Sequence, residues 1–125
     1  MGRDAKSKSV QALLGPILNI HHSPLNGRNF ESFSEDPHLS GIMAAAYVDG
    51  LQSEGVAATP KYFVCNDVET RRNLVDVLIN KRALREICLK SFQMILRDAD
   101  RWSIMTSLNS IQGEFACTMH CPCQS

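Results

Sequence analysis

Short apolar runs alternate with stretches of helical periodicity along this chain, and that alternation leaves few architectures open. Residues 11–20 form an apolar run, interrupted by Gly15 and Pro16, that reads as a buried strand ending near Ile20. Asp36 is placed to cap a helix with Pro37 at its first position, where the missing N–H costs nothing. Leu39, Ile42, Met43, Ala46, Tyr47 and Leu51 then recur at helical spacing as the core-facing stripe, and Gly55 suits the stop. Residues 56–65 are short, β-branched and aromatic, and read as a second strand. Leu84, Ile87, Cys88, Ser91, Phe92 and Ile95 mark a second amphipathic helix. Residues 103–108 form a third strand that runs into Asn109 and a turn around Gly113, and residues 4–9 are polar and helix-compatible. The order β-loop-α-β-loop-α-β predicts an α/β fold of parallel strands with crossover helices. A closed (β/α)8 barrel takes ~250 residues, so this chain offers about half of one; an open three-stranded α/β unit is the alternative.

Charge and composition exclude several classes of function. Thirteen basic residues balance thirteen acidic ones, so no net field draws the chain to nucleic acid or anionic lipid. A hydrophobic share of 44% suits a globular core. No apolar run approaches the ~18–20 residues that span a bilayer. The first fifteen residues have charges but no apolar core before a small-residue cleavage site, so they do not read as a signal peptide, and nothing directs the chain to a compartment. Of five cysteines, Cys65 and Cys88 fall in apolar periodic segments and read as free buried thiols. Cys117, Cys121 and Cys123 crowd into the last nine residues with His120. A zinc pattern needs a second, distant ligand pair, and there is none, so no metal is expected. This tail is expected not to be native domain sequence.

Chemistry should gather at one edge of such a sheet. Loops after parallel strands share the C-terminal face, which puts Arg28, the Asn66-Asp67-Val68-Glu69 segment and Asn109 along one rim. Arg28 offers a rigid fork of donors suited to hydroxyls or a carboxylate; a loop-anchoring ion pair with Glu31 or Glu35 is the equal alternative. Lys61 falls inside an apolar strand, where a charge is expensive unless it is paired or faces a polar cavity. Glu31, Glu35 and Asp36 form an acidic cluster best explained by the helix start, Asp36 as cap and the glutamates favouring its positive end. His21 and His22 follow a strand end without a partner at fixed spacing, and Trp102 reads as core rather than as a ligand platform.

Five segments in order carry a family resemblance. LLGPILNI resembles an LLGP-x-x-NI strand, and SPLNGRNFESFSEDPHLSG resembles an SPLGGRGFESFSEDP loop and helix start. GVAATPKYFVCNDVET, RALREICLKSFQ and IMTSLNSIQGE resemble GV-A-A-T-x-KHF-x-x-ND-x-E, RALREIYL-x-PFQ and MT-x-YN-x-x-NGE. Together they resemble the N-terminal catalytic domain of family 3 glycoside hydrolases, the β-glucosidase family. Residues 1–114 then read as part of a (β/α)8 TIM barrel, and residues 115–125 as a Cys-rich tail outside the family pattern.

The resemblance implies that Arg28 hydrogen-bonds the sugar nearest the scissile bond and that Lys61 grips its hydroxyls. Tyr62 stands where the family has a histidine, so one sugar contact is changed. Asn66, Asp67, Glu69 and Asn109 are implied in supporting roles. Leu108 replaces a tyrosine, and Asn80-Lys81 replace a Ser-Glu pair. The family is retaining: an Asp nucleophile forms a glycosyl-enzyme, and a separate carboxyl group protonates the leaving oxygen. That nucleophile, on a V-M-S-D-W-like motif, and the acid/base are expected outside these 125 residues. The implied function is retaining hydrolysis of terminal non-reducing β-D-glucosyl residues. Its substrate would be a β-glucoside or oligosaccharide, with no metal or organic cofactor and no nucleic-acid or membrane partner. The 125 residues alone are expected to be inactive. The alternative is a non-catalytic carbohydrate-binding or interaction remnant of a degraded gene. On either reading, Arg28 and Lys61 should converge on one polar pocket.

Overall fold

The computed structural model describes residues 1–100 and 102–118. In chain order its elements are α1 (Gly2–Ser7), β1 (Ala12–Leu13), α2 (Pro37–Gln52), β2 (Ala57–Ala58), β3 (Lys61–Phe63), β4 (Asp76–Val77), α3 (Lys81–Ala83), α4 (Lys90–Asp98), β5 (Met105–Thr106), β6 (Ser110–Ile111) and β7 (Glu114–Phe115). A 3₁₀ turn at Asn29–Glu31 lies before α2, and a π turn at Leu84–Cys88 joins α3 to α4.

Three stretches of chain lie side by side and parallel. β1 pairs with β2, Ile17 bridges to Lys61, and β3 pairs with β5. Regular strand is much shorter than the runs the sequence suggests, because Pro16 and Pro60 lack the N–H a ladder needs. Pairing nevertheless bridges the gaps: Lys61 N–H donates to Pro16 O at 2.8 Å, and Met105 N–H to Pro60 O at 2.9 Å. The Gly15–Pro16, Lys61–Tyr62 and Phe63–Val64 peptide bonds are cis. A second small sheet was not foreseen: β4 runs parallel to β6, and β6 turns through Gln112 and Gly113 into antiparallel β7. Phe115 ends β7 and is 54% exposed, and the buried Ala116 follows it.

The helices cover the strands, and α2 packs on α4. Asp36 caps α2 as expected, its carboxylate accepting the His38 N–H at 2.8 Å. Asn80 caps α3 by accepting the Ala83 N–H at 2.8 Å. The core joins Leu18, Val48, Val56, Phe92, Ile95 and Ile111, with the Phe63 ring edge-on to Phe92 at 5.0 Å. No described helix is long and apolar enough to cross a membrane.

The face that α2 buries differs from the expected one. It buries Ser40, Gly41, Ala44, Val48 and Leu51, while Leu39, Ile42 and Met43 are 46–49% exposed and Ala46 is exposed. Of the six apolar positions named above, only Leu51 is fully buried, and Tyr47 lies half-buried against the core. Small residues prevail because the helices approach closely: a Cβ on Gly41 would stand 2.5 Å from Met94 Sδ. The second helix follows its pattern except at Ile87, which is exposed; a π turn widens the helix there and rotates that side chain outward. Trp102 is also exposed rather than core, and its backbone N–H donates to Gln52 Oε1.

Candidate functional site

The site begins at a glycine. A Cβ on Gly27 would fall 2.5 Å from Glu69 Cβ and Cγ, so only glycine lets the loop after β1 lie against the loop after β3. Arg28 follows with φ +65°, and the 3₁₀ turn behind it carries Glu31 beneath its guanidinium. Nε and Nη2 of Arg28 both donate to Glu31 Oε1 at 2.6 Å. Lys61 reaches the same carboxylate from β3, its Nζ standing 3.3 Å from Glu31 Oε2. Arg28 Nη1 donates to the Tyr62 hydroxyl. The Tyr62 ring is 5.2 Å from Arg28 Cζ and 5.5 Å from Lys61 Nζ, so two cations flank its π face or edge.

Two residues 33 positions apart thus converge on one carboxylate, and the loop-anchoring ion pair of Arg28 with Glu31 is present. Glu31 does not serve the α2 N-terminus as expected; it bridges Arg28 and Lys61, while Glu35 is exposed. Burial pushes the Glu31 carboxyl up, but hydrogen bonds from Arg28 and Lys61 outweigh it and hold the group below the ordinary glutamate value. The hydrogen bond to Tyr62 and the pairing with Glu31 hold Arg28 above its ordinary value against its partial burial.

The second half of the site lies on the loop after β3. Asn66 is buried, and its amide donates to Glu69 Oε1 at 3.0 Å while Arg72 Nη1 donates to Glu69 Oε2 at 3.0 Å. Asp67 Oδ2 is 3.1 Å from His22 Nδ1, which gives His22 the partner that sequence spacing had not offered. Asp67 Oδ1 is buried with no hydrogen-bond partner among the described residues. Burial pushes the Asp67 carboxyl up, and His22 only partly opposes this. His21 instead joins its Nε2 to the Asn29 carbonyl at 2.8 Å, bracing the 3₁₀ turn.

Arg28, Tyr62, Asn66, Asp67 and Glu69 line one cleft, whereas Lys61 and Glu31 line a separate cavity beside Phe33 and Tyr47, so Arg28 and Lys61 meet on one carboxylate but not in one pocket. The cleft leaves about 10 Å³ free, room for about one water molecule. Asn109 is not in it: its amide donates to the Val64 and Ser110 carbonyls, both at 3.3 Å, and braces the end of β3 from behind. Sequence reasoning missed Glu31 as the bridge and Arg72 as the partner of Glu69. The Arg28–Glu31 and Glu69–Arg72 spacings of three were the available signals. Glu69 is held by Arg72 and Asn66, whereas Asp67 faces only His22 and keeps one oxygen without a partner among the described residues. Among the described residues no His, Cys, Asp and Glu group could hold a metal ion. Cys117 is exposed, and His120, Cys121 and Cys123 lie outside the described residues.

Residues 1–125 match the family described as Glycosyl hydrolase family 3 N terminal domain. The chain belongs to glycoside hydrolase family 3. A Neosartorya fischeri protein named Probable beta-glucosidase H is 51% identical over 114 residues, which are 91% of this chain and 14% of that relative. The solved structure of beta-glucosidase 3B from Thermotoga neapolitana in complex with glucose matches with a TM-score of 0.90 at 46% identity, over 93% of this chain and 16% of that one. Beta-glucosidase from Kluyveromyces marxianus in complex with glucose gives 0.90 at 44% identity, over 93% and 14%. The chain therefore spans about one seventh of the length of the curated relative.

Proposed function

We propose that this chain is part of the (β/α)8 catalytic domain of a retaining β-glucosidase, with residues 1–114 as the barrel segment. Arg28 and Lys61 bind the glucosyl unit at the bond to be cleaved, with Tyr62 as the wall between them. The observation that carries this reading is their convergence on Glu31 at one rim of the parallel strands, in a chain 46% identical to a glucosidase solved with glucose. Among the described residues these pairings leave guanidinium and ammonium N–H donors over, enough to serve sugar hydroxyls. Asn66 and Glu69 brace the loop, Asp67 adds an acceptor, and Asn109 holds the strand end. The substrate is a β-glucoside or oligosaccharide, and the reaction needs no cofactor.

The experiment is kinetic. In the protein that contains this segment, Arg28→Ala should lower kcat/KM for an aryl β-glucoside by about 10²-fold, as expected for loss of charge-assisted hydrogen bonds worth about 2–3 kcal/mol. Unchanged kinetics with lower thermal stability would leave Arg28 as a loop anchor only. A polypeptide of these 125 residues should show no turnover, because the nucleophile and acid/base that the family uses are expected outside it. Glucose release by that polypeptide, free of host enzyme, would overturn the assignment of the reacting carboxylates to other parts of the domain.

A further inference from the structure

Cys65 and Cys88 take no part in the cleft, yet the fold brings them together. Cys65 opens the loop after β3 with φ +64°, and Cys88 closes the π turn. Both are buried, at 3% and 8% exposed, and both belong to the one apolar core. They also line a small cavity with His22 and Asp67. Within that cavity the Cys65 and Cys88 thiols stand close enough to perturb each other. The neighbouring Cys88 thiol and burial push Cys65 well above the ordinary thiol value, while Cys65 moves Cys88 below it. Cys88 stands where the family pattern RALREIYL has a tyrosine, so the pair belongs to this chain rather than to the pattern.

We propose that Cys65 and Cys88 form a reversible disulfide by exchange with a small-molecule disulfide such as oxidised glutathione. The Cys88 thiolate attacks one sulfur of the oxidant, forming a mixed disulfide and releasing one thiolate. Cys65 then gives up its proton and attacks the Cys88 sulfur, releasing the second thiolate; two protein thiols are oxidised and one disulfide is reduced to two thiols. Two thiols that line one small cavity within a single apolar core are placed to reach each other by local adjustment of the loop and the π turn. Exchange proceeds while the chain folds or when the π turn opens, since the folded pair is buried. The bond ties the loop that carries Asn66 and Asp67 to the helix, and so fixes the second half of the cleft.

The full chain, equilibrated in glutathione buffers of graded poise and quenched with N-ethylmaleimide, decides this by peptide mapping. The expected result is a Cys65–Cys88 linked peptide pair in oxidising buffer, which disappears on reduction. The oxidised protein should also melt roughly 10 °C above the reduced one, the shift expected when a loop of this length is closed. Cys88→Ser should abolish both the link and the shift; if that variant does not fold, the map of the parent protein decides alone. Maleimide on both Cys65 and Cys88 after oxidising equilibration would overturn the proposal, as would linkage of either to Cys117, Cys121 or Cys123.

Discussion

Glu31 and Asp67 are carboxylates on neighbouring loops of one rim, and they are treated in opposite ways. Glu31 is 24% exposed and clamped by a guanidinium and an ammonium, which hold it below its ordinary pKa. Asp67 is 17% exposed, faces one half-exposed histidine, and keeps an oxygen with no partner among the described residues. Burial therefore wins at Asp67 and raises it. Asp67 lies deeper in the protein and has fewer donors than Glu31, so burial wins at one carboxylate and pairing at the other. One half of the rim is saturated with charge pairing. The other holds an acceptor in reserve.

The largest test of this contrast is Glu31→Gln. It leaves the Arg28 and Lys61 charges facing each other across Tyr62, with the Lys61 side chain only 12% exposed. Breaking a buried pair from one side costs several kcal/mol, and partial exposure reduces that here to about 2–3 kcal/mol. Urea unfolding of the parent and variant would measure it; a loss under about 0.5 kcal/mol would mean that the clamp contributes little. Since the folded-state value of Glu31 lies below its ordinary 4.5, its stabilisation is present above that value and is lost as pH falls through the lower one.

Next comes the seam between the halves. Gly27→Ala puts a methyl 2.5 Å from two Glu69 carbons, and the loops must part to admit it. Overpacking of this kind costs about 1–3 kcal/mol. The same parting should weaken the Asn66–Glu69 hydrogen bond, which side-chain amide proton exchange would register. Amide exchange as slow as in the parent would show that the halves are independent.

How much of this was readable in advance depends on what decides each feature. Capping is local, so Asp36 and the α2 start could be read from a few residues. The convergence of Arg28 and Lys61 follows from parallel strands sharing an edge, and the family pattern named both residues. The buried face of α2 was not readable, because it is set by α4 approaching Gly41 and not by the hydrophobicity of Leu39, Ile42 or Met43. The β4–β6 pairing joins two-residue pieces 34 positions apart, too short to show a period. The His22–Asp67 pair was hidden for the same reason: only the fold brings the two loops together.

Asp67→Asn should act in the opposite direction to Glu31→Gln, and more weakly. A carboxyl whose folded-state value is raised favours the fold below its ordinary 3.8, and that contribution is lost as pH rises through the raised value. The amide carries no such pH dependence. The variant should therefore gain stability at neutral pH, by no more than about 1 kcal/mol, and should flatten the upper limb of the stability–pH curve. Equal destabilisation at neutral pH would show that the His22 contact outweighs the burial of the charge.

The smallest expected effect separates those two contributions. His22 is 43% exposed, and a pair with one exposed member is worth under about 1 kcal/mol, so His22→Ala should barely change the unfolding midpoint. Its effect should instead show in the titration of its partner. Burial raises Asp67 and His22 lowers it, so removing the imidazole takes away the opposing influence and must move the Asp67 carboxyl further up. Carbon-detected NMR of the Asp67 side chain reads this directly, without reference to stability. The Glu31 carboxyl, clamped by Arg28 and Lys61, should not move in the same spectra. If Asp67 stayed in place while Glu31 moved, the two halves of the rim would be electrostatically continuous, and the division between a saturated and an under-partnered carboxylate would fail.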